Sequence, residues 1–360
     1  MVAARLARLA RVVRAQPAAR LRKAAACLTA SALLVAAGVP TNATAATDSE
    51  RRARIGVGYL ASQQEADGSI PAFSAVGSTA DAVISMVAAR RGADNIADAM
   101  GFLSRQVAKG AVTNVGQRAQ VALAVVAGGR NPREFGGRNL IAQLRGAERS
   151  NGRYGRSTDV YEHALAMLAL AAADAGPSTA ATAWLARAQC GDGGWQNDDP
   201  PGPDEDEHCL DRVDPAADFF TSDTNTTGVA VQALEVGRGS TVPAHDPFDF
   251  FAAIRDPRFG GWGYTWGFET TDANSTALVV EAYAASGRRL PSGALAALKA
   301  LQYRRCGAWA YSWADDGRGG VVRTPPDVGA TIQAIQGVLQ QPLPPESLPV
   351  SKPAPDTNPC

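Results

Sequence analysis

The sequence predicts an all-α fold in which six helix pairs close into a ring, and three observations carry that expectation. One segment recurs six times with a period of about 42 residues. Between successive copies lies an alanine-rich stretch with apolar residues at helical spacing, and strand signals are weak from end to end.

The first copy is YLASQQEADGSI at 59–70, followed by FLSRQVAKGAV at 102–112 and LIAQLRGAERSNGRY at 140–154. WLARAQCGDGGW at 184–195, FFAAIRDPRFGGW at 250–262 and LKALQYRRCGAW at 298–309 complete the set. Each copy ends on an apolar residue: Ile70, Val112, Tyr154, Trp195, Trp262 and Trp309, at intervals of 42, 42, 41, 67 and 47. An acidic insertion at 197–220 accounts for the one long interval. The second element reads TADAVISMVAAR, QRAQVALAVVAG, VYEHALAMLALAAA, TNTTGVAVQALEVG, ANSTALVVEAYAA and GATIQAIQGVL in its six copies. Gly92, Gly128, Gly176, Gly237 and Gly287 follow five of these as C-terminal caps, and Asp223 and Asp272 precede two of them as N-caps. Each repeat is therefore helix, Gly-rich turn, helix. The alanine-rich helix is apolar nearly all round and belongs inside, whereas the first helix carries a charged face and belongs outside. An open solenoid needs polar end repeats, and neither terminal repeat is one, so the stack is expected to close.

Residues 1–46 hold seven basic side chains and no acid, from Arg5 to Lys23, and an apolar run spans 24–39. Ala43-Thr44-Ala45 follows at signal-peptidase spacing, so 1–45 reads as a secretory signal peptide, with the ring domain at 46–341 and a Pro-rich tail at 342–360. The apolar run is shorter than a membrane span, and no second span follows, so the mature chain is expected to be secreted with no transmembrane anchor. The whole chain balances 35 basic against 35 acidic residues, but residues 47–360 carry 28 against 35, or −7. That deficit excludes the basic face a nucleic-acid binder needs. Cleavage also leaves four cysteines for an oxidising compartment, and the favoured pairing is Cys190 with Cys209 and Cys306 with Cys360. A zinc site is the weaker alternative, since there is no C-x-x-C pair and only three histidines are present.

AWLARAQCGDGGWQ resembles the QW repeat of squalene cyclases and related terpene cyclases, shared more loosely with protein prenyltransferase β subunits. The resemblance covers about residues 51–341 and implies an α/α toroid whose inner barrel surrounds an apolar cavity. The same toroid occurs in vitamin B12 carriers and in thioester domains, so fold does not by itself fix function.

The class II cyclases of that family protonate an alkene from the middle residue of a DxDD motif at the start of an inner helix. Here the matching positions read Asp223-Thr224-Asn225-Thr226 and Asp272-Ala273-Asn274-Ser275, so an amide stands where the family's proton donor belongs. Asp223 and Asp272 then read as N-caps or as acids of a different kind, beside the further candidate acid Asp81. Nine carboxylates lie at 197–218, where prolines forbid the helix that a magnesium-diphosphate site requires. That loop reads as a solvated insertion, with a calcium site at Asp198, Asp199, Asp204 and Asp206 as the alternative; no other cofactor is expected. The zinc trio of protein prenyltransferases, the thioester motif and G-x-S-x-G have no match. His163 reads as a general base or metal ligand, or as a hydrogen-bonded barrel-wall residue.

The last two turns share alternating aromatics, Trp262-Tyr264-Trp266 and Trp309-Tyr311-Trp313. If Trp262 and Trp309 stack structurally, then Tyr264, Trp266, Tyr311 and Trp313 rim the cavity mouth with Thr227 and Thr276 beside them. Pure packing is the alternative. The function expected from the sequence is binding of a largely apolar, terpenoid- or corrinoid-like small molecule by a monomer. An enzyme using a non-family acid and a structural cell-envelope module remain as alternatives.

Overall fold

Among the described residues, twelve α-helices alternate in the chain between an outer and an inner position. The computed structural model describes residues 46–155, 159–197, 209, 221–237, 239 and 241–360. The inner helices are α2 (Ala75–Ala89), α4 (Val115–Ala127), α6 (Val160–Ala172), α8 (Thr224–Glu235), α10 (Ala273–Ala285) and α12 (Val328–Leu339). The outer ones are α1 (Asp48–Ser62), α3 (Ala93–Ala108), α5 (Leu140–Arg145), α7 (Thr179–Arg187), α9 (Pro247–Ala253) and α11 (Ala294–Ala300). Each inner helix packs on the next, and α12 returns to α2, so the ring is closed. At that seam Gln336 Nε2 donates to Ser85 Oγ at 3.1 Å, and Ser85 Oγ donates to the Ile332 carbonyl at 2.8 Å.

Small side chains let the inner helices approach. A Cβ on Gly337 of α12 would lie 2.6 Å from Ala277 Cα on α10, and one on Gly228 of α8 would lie 2.9 Å from the Leu278 carbonyl oxygen. The alanine-rich composition read from the sequence is thus a packing requirement. Every inner helix also has a side-chain N-cap: Ser74, Asn114, Asp159, Asp223, Asp272 and Asp327 each accept a backbone N–H three residues on.

The residues that close the six copies are all buried, with Trp195, Trp262 and Trp309 fully so. Their indole N–H groups donate to the Leu185, Phe251 and Leu298 carbonyls near the ends of the outer helices, at 2.8, 2.7 and 3.0 Å. Carboxylates tie the turns themselves: Asp67 accepts from Ser69, Asp192 from Gly194 and Ser222, and Asp256 from Arg258 and Thr271.

Three features differ from the sequence reading. Gly92 and Gly176 do not end α2 and α6; Arg90 (φ 54°) and Asp174 (φ 53°) take the left-handed positions there, and Gly92 (φ 84°) begins α3 as its N-cap. The sixth turn carries two short ribbons, β1 (Trp309–Ala310) against β4 (Pro326–Asp327) and β2 (Trp313–Asp315) against β3 (Val321–Arg323). The tail at 342–360 is a fitted strap. Leu343 N donates to Gln232 Oε1 at 2.7 Å, and Gly92 N and Ala93 N both donate to the Lys352 carbonyl. A Cβ on Gly58 would lie 2.4 Å from the Pro355 carbonyl oxygen. The strap ends in the disulfide Cys306–Cys360, and Cys190–Cys209 forms the second bridge. Residues 1–45, read as the signal peptide, lie outside the described residues.

Candidate functional site

The turns present their main chain to the N-terminal ends of the inner helices, and one hydrogen bond recurs there. The N–H groups of Ile70, Trp195, Trp262 and Trp309 donate to Thr79, Thr227, Thr276 and Thr331 Oγ1 at 2.8 to 3.0 Å. Thr227 and Thr276 are fully buried with their hydroxyls engaged in this way, so they brace the turns and do not stand at the mouth. In the third repeat His163 fills the threonine slot. Its Nδ1 accepts from Tyr154 N at 3.2 Å, and its Nε2 donates to the Ala181 carbonyl at 3.1 Å. Burial pushes this imidazole down to about 3, so it is neutral and both nitrogens are committed. It is a wall residue and offers no free nitrogen to a metal or substrate.

A seven-residue spacing, two helical turns, puts Asn225 and Gln232 on one face of α8, Asn274 and Glu281 on one face of α10, and Tyr161 and Leu168 on one face of α6. Asp81 on α2 meets α4, where Gln120 Nε2 donates to Asp81 Oδ2 at 3.0 Å. These residues face one another across the ring. Tyr161 lies within electrostatic reach of Asp81, Glu281, Asp159 and Asp223, and Glu281 within reach of Asp81. Asp81, Tyr161, Asn225 and Asn274 are enclosed by protein yet keep part of their surface open, so they line a lumen.

The lumen is richer in polar groups than the expected apolar barrel. Asp223 Oδ2, Asn225 Oδ1, Asn274 Oδ1 and Glu281 Oε1 are buried without a hydrogen-bond partner among the described residues. Burial raises Asp81 and Asp223 to about 7, with hydrogen bonds from Gln120 and from Thr226 N opposing the rise. Glu281 is driven well above the usual carboxylate range by burial and then by the charge of Asp81. Asp272 also rises to about 7 through burial. Its two oxygens are nevertheless taken, Oδ1 by Ser275 N and Oδ2 by Ser275 Oγ, both at 2.7 Å. Asp272 is thus a satisfied cap, whereas Asp223 caps with Oδ1 alone. The burial of both has one cause: the next repeat's turn lies over them, with Thr224 N donating to the Tyr264 carbonyl and Ala273 N to the Tyr311 carbonyl.

The alternating aromatics separate into two kinds. Trp266 meets Phe250 edge-on at 6.2 Å and donates through Nε1 to Asp192 Oδ2 at 3.3 Å. Trp313 stacks on Phe259 at 5.0 Å and 12°. Trp266 therefore packs on its own repeat's outer helix and reaches back to Asp192 of the preceding repeat, and Trp313 packs on Phe259 of the preceding repeat. Tyr264 is half-buried, while Tyr311 is 42% exposed with its hydroxyl raised to about 12, chiefly by burial and next by Asp272 and Asp327. Phe73, exposed at 78% and lying against Gly329 at the start of α12, and Phe268 at 64% stand at the same end of the ring. Sequence reasoning passed over both phenylalanines, Tyr161 and Glu281. The i, i+7 recurrence of Asn225 with Gln232 and of Asn274 with Glu281 was the available signal for the lumen face. The calcium candidates Asp198, Asp199, Asp204 and Asp206 lie outside the described residues, among which no helix is long and apolar enough to cross a membrane.

No family model and no curated protein matches this chain. Solved structures do. A protein from Actinoplanes is 18% identical, with 81% of this chain and 99% of that chain covered at a TM-score of 0.51. A variant of the type II terpene cyclase MstE from Scytonema, solved with merosterolic acid A as product, is 13% identical, covering 81% and 96% at 0.51. The α-1,6-mannanase from Salegentibacter sp. is 12% identical, covering 81% and 98% at 0.55. At these identities the likeness shows the fold: the chain is an α/α toroid, the fold shared by that terpene cyclase and that mannanase.

Proposed function

We propose that the protein is exported and binds a small molecule in the lumen of its toroid. The molecule's apolar body lies against the rim aromatics Phe73, Phe268 and Tyr311, and its polar groups reach the lumen oxygens. The observation that carries this reading is a set of four buried oxygens, Asp223 Oδ2, Asn225 Oδ1, Asn274 Oδ1 and Glu281 Oε1, that accept no hydrogen bond from the described residues, although Thr226 and Gln232 bond to the Asp223 and Glu281 carboxyls. A buried acceptor left without a donor costs about 1–3 kcal/mol, so four of them on two neighbouring inner helices favour a ligand that brings donors. A purely structural module fits less well, because its barrel would be filled by its own side chains, while Asp81 and Tyr161 retain open surface.

A second reading, catalysis with a non-family acid, is favoured by one further observation. Asp223 and Asp81 rise to about 7 and are substantially protonated at neutral pH, as a proton donor must be. Asp223 keeps Oδ2 unengaged for the purpose, and Asp272 does not.

Mass spectrometry of the protein purified from its own secretion host, native against denaturing, tests the binding reading. The expected result is a small molecule released on denaturation from the parent protein and absent from an Asn225→Leu, Asn274→Leu double variant of unchanged melting temperature. Release of no such molecule from either protein would overturn it. Conversion of that molecule, lost in Asp223→Asn, would establish the catalytic reading.

A further inference from the structure

We propose that the molecule taken by this lumen is an organic cation, a protonated amine or a quaternary ammonium; the inference rests on the reading that the lumen is the binding site. The wall is of a single sign. A walk around the six inner helices meets Asp81 as the one ionisable residue of α2, and Arg118 as that of α4. Arg118 lies two residues before Gln120, hence on the opposite face of the helix, and its Nη2 is turned to the Thr113 carbonyl. On α6 stand Tyr161, Glu162 and the committed, neutral His163; the carboxylate of Glu162 lies over Gly116. Glu235 sits at the far end of α8, α10 carries Glu281 and Tyr283, and α12 carries no ionisable residue. The caps Asp159, Asp223, Asp272 and Asp327 add four more carboxyls and no base. Across all six helices there is no lysine, and the single arginine faces away.

The unpartnered atoms agree with the charges. All four on α8 and α10 and their caps are oxygens, so this side of the lumen has acceptors to spare and no positive charge; Arg118 Nε on α4 also lacks a partner, on the side of that helix turned from Gln120. No Lys or Arg offsets the burial of Asp81, Asp223 or Glu281. A cation entering among them would draw the carboxyls toward ionisation, releasing protons to the buffer as it binds. Tyr161 places an aromatic ring in the same group, which suits a quaternary nitrogen. An anion would keep these carboxyls protonated and meet repulsion from any that ionise, and a neutral molecule would gain no ion pair with them.

The test uses two molecules of nearly one shape, choline and its neutral isostere 3,3-dimethylbutan-1-ol, titrated calorimetrically into the mature, disulfide-bonded chain. The expected result is binding of choline tighter than the isostere by roughly tenfold or more. Heats measured in two buffers of different ionisation enthalpy should show proton release on choline binding. Glu281→Gln and, independently, Asp81→Asn should each erase most of the preference while the melting transition remains cooperative. If the isostere binds as well as choline and Asn225→Leu abolishes both, the charge inference falls and the lumen remains the site. Should neither molecule bind, the charge inference falls as well; whether the lumen reading falls with it is decided separately by the release of a native ligand on denaturation.

Discussion

The main-chain N–H of Trp309 donates to Thr331 Oγ1 at 2.8 Å, while the Trp309 indole N–H donates to the Leu298 carbonyl at 3.0 Å. One residue thereby fastens the turn to its inner helix and to its outer helix at once. Thr331→Val keeps the side-chain shape and removes the acceptor, leaving a buried N–H unsatisfied. It should lower unfolding free energy by about 1–3 kcal/mol in urea titrations. Trp309→Ala removes both attachments and a fully buried ring, and should cost about 3–5 kcal/mol. Equal effects of the two would contradict the double role.

His163 should behave as a threonine substitute. Its imidazole is predicted to stay neutral well below its ordinary 6.5, because burial opposes the charge and Tyr154 N already occupies Nδ1. Nitrogen-15 chemical shifts followed from pH 8 to pH 4 should show one unchanging tautomer, protonated at Nε2. A midpoint near 6 would refute the assignment.

Stability should fall as pH rises from about 4 to 7. Asp81, Asp223 and Asp272 move from 3.8 to about 7 on folding, so the native state holds more protons than the unfolded chain in that window. The contribution of the three protonated carboxyls is present below 3.8 and is lost as pH passes through about 7. The surface carboxylates Asp48, Glu50 and Asp67, held low by hydrogen bonds such as those from Arg52, Thr47 and Ser69, act in the opposite sense at the acid end. The melting temperature should therefore be higher at pH 5 than at pH 8. Asp81→Asn should flatten that difference, each unit of removed shift being about 1.4 kcal/mol. A melting temperature that climbs from pH 5 to pH 8 would show that these acids ionise freely.

The strap should matter to the ring. Cys306–Cys360 closes a span of 54 residues that passes over α8, α3 and α1. On the chain-entropy account a loop of that length is worth about 4 kcal/mol. Cys306→Ser with Cys360→Ser should lower the denaturation midpoint accordingly and raise hydrogen exchange at Gly92 and Ala93, whose N–H groups the strap covers.

At the α10–α12 seam, Gly337→Ala drives a methyl to within 2.6 Å of Ala277 Cα, a backbone atom that cannot step aside. The expected cost is about 1–3 kcal/mol by chemical denaturation. A neutral effect would mean that the ring flexes at this contact.

Much of the scaffold was legible because repetition amplifies weak local signals. The turn carrying Trp262 is ambiguous alone, but Trp195 and Trp309 at corresponding places make it a register mark, and all three prove fully buried. Asp223 and Asp272 were readable as caps because a cap needs only its own helix. The site was less legible. The four turn aromatics look equivalent in sequence, yet Trp266 and Trp313 turn back to Asp192 and Phe259 of the preceding repeats, a choice made by neighbours remote in the chain. Thr227 and Thr276 were misplaced for the same reason, since the N–H they accept comes from another turn.

The sequence by itself determined the helix pairs, their number, which helix of each pair is buried, and the tryptophan turns, all of which follow from periodicity and composition within about 42 residues. Tertiary structure alone decided which polar groups are unpaired. Asn225, Asn274, Glu281 and Asp81 are scattered over some two hundred residues, and nothing in the sequence joins them into one site. Ring closure, through the contact of α12 with α2, sets them facing one another away from water. Only in that enclosure does burial raise their carboxyls and leave their oxygens without donors.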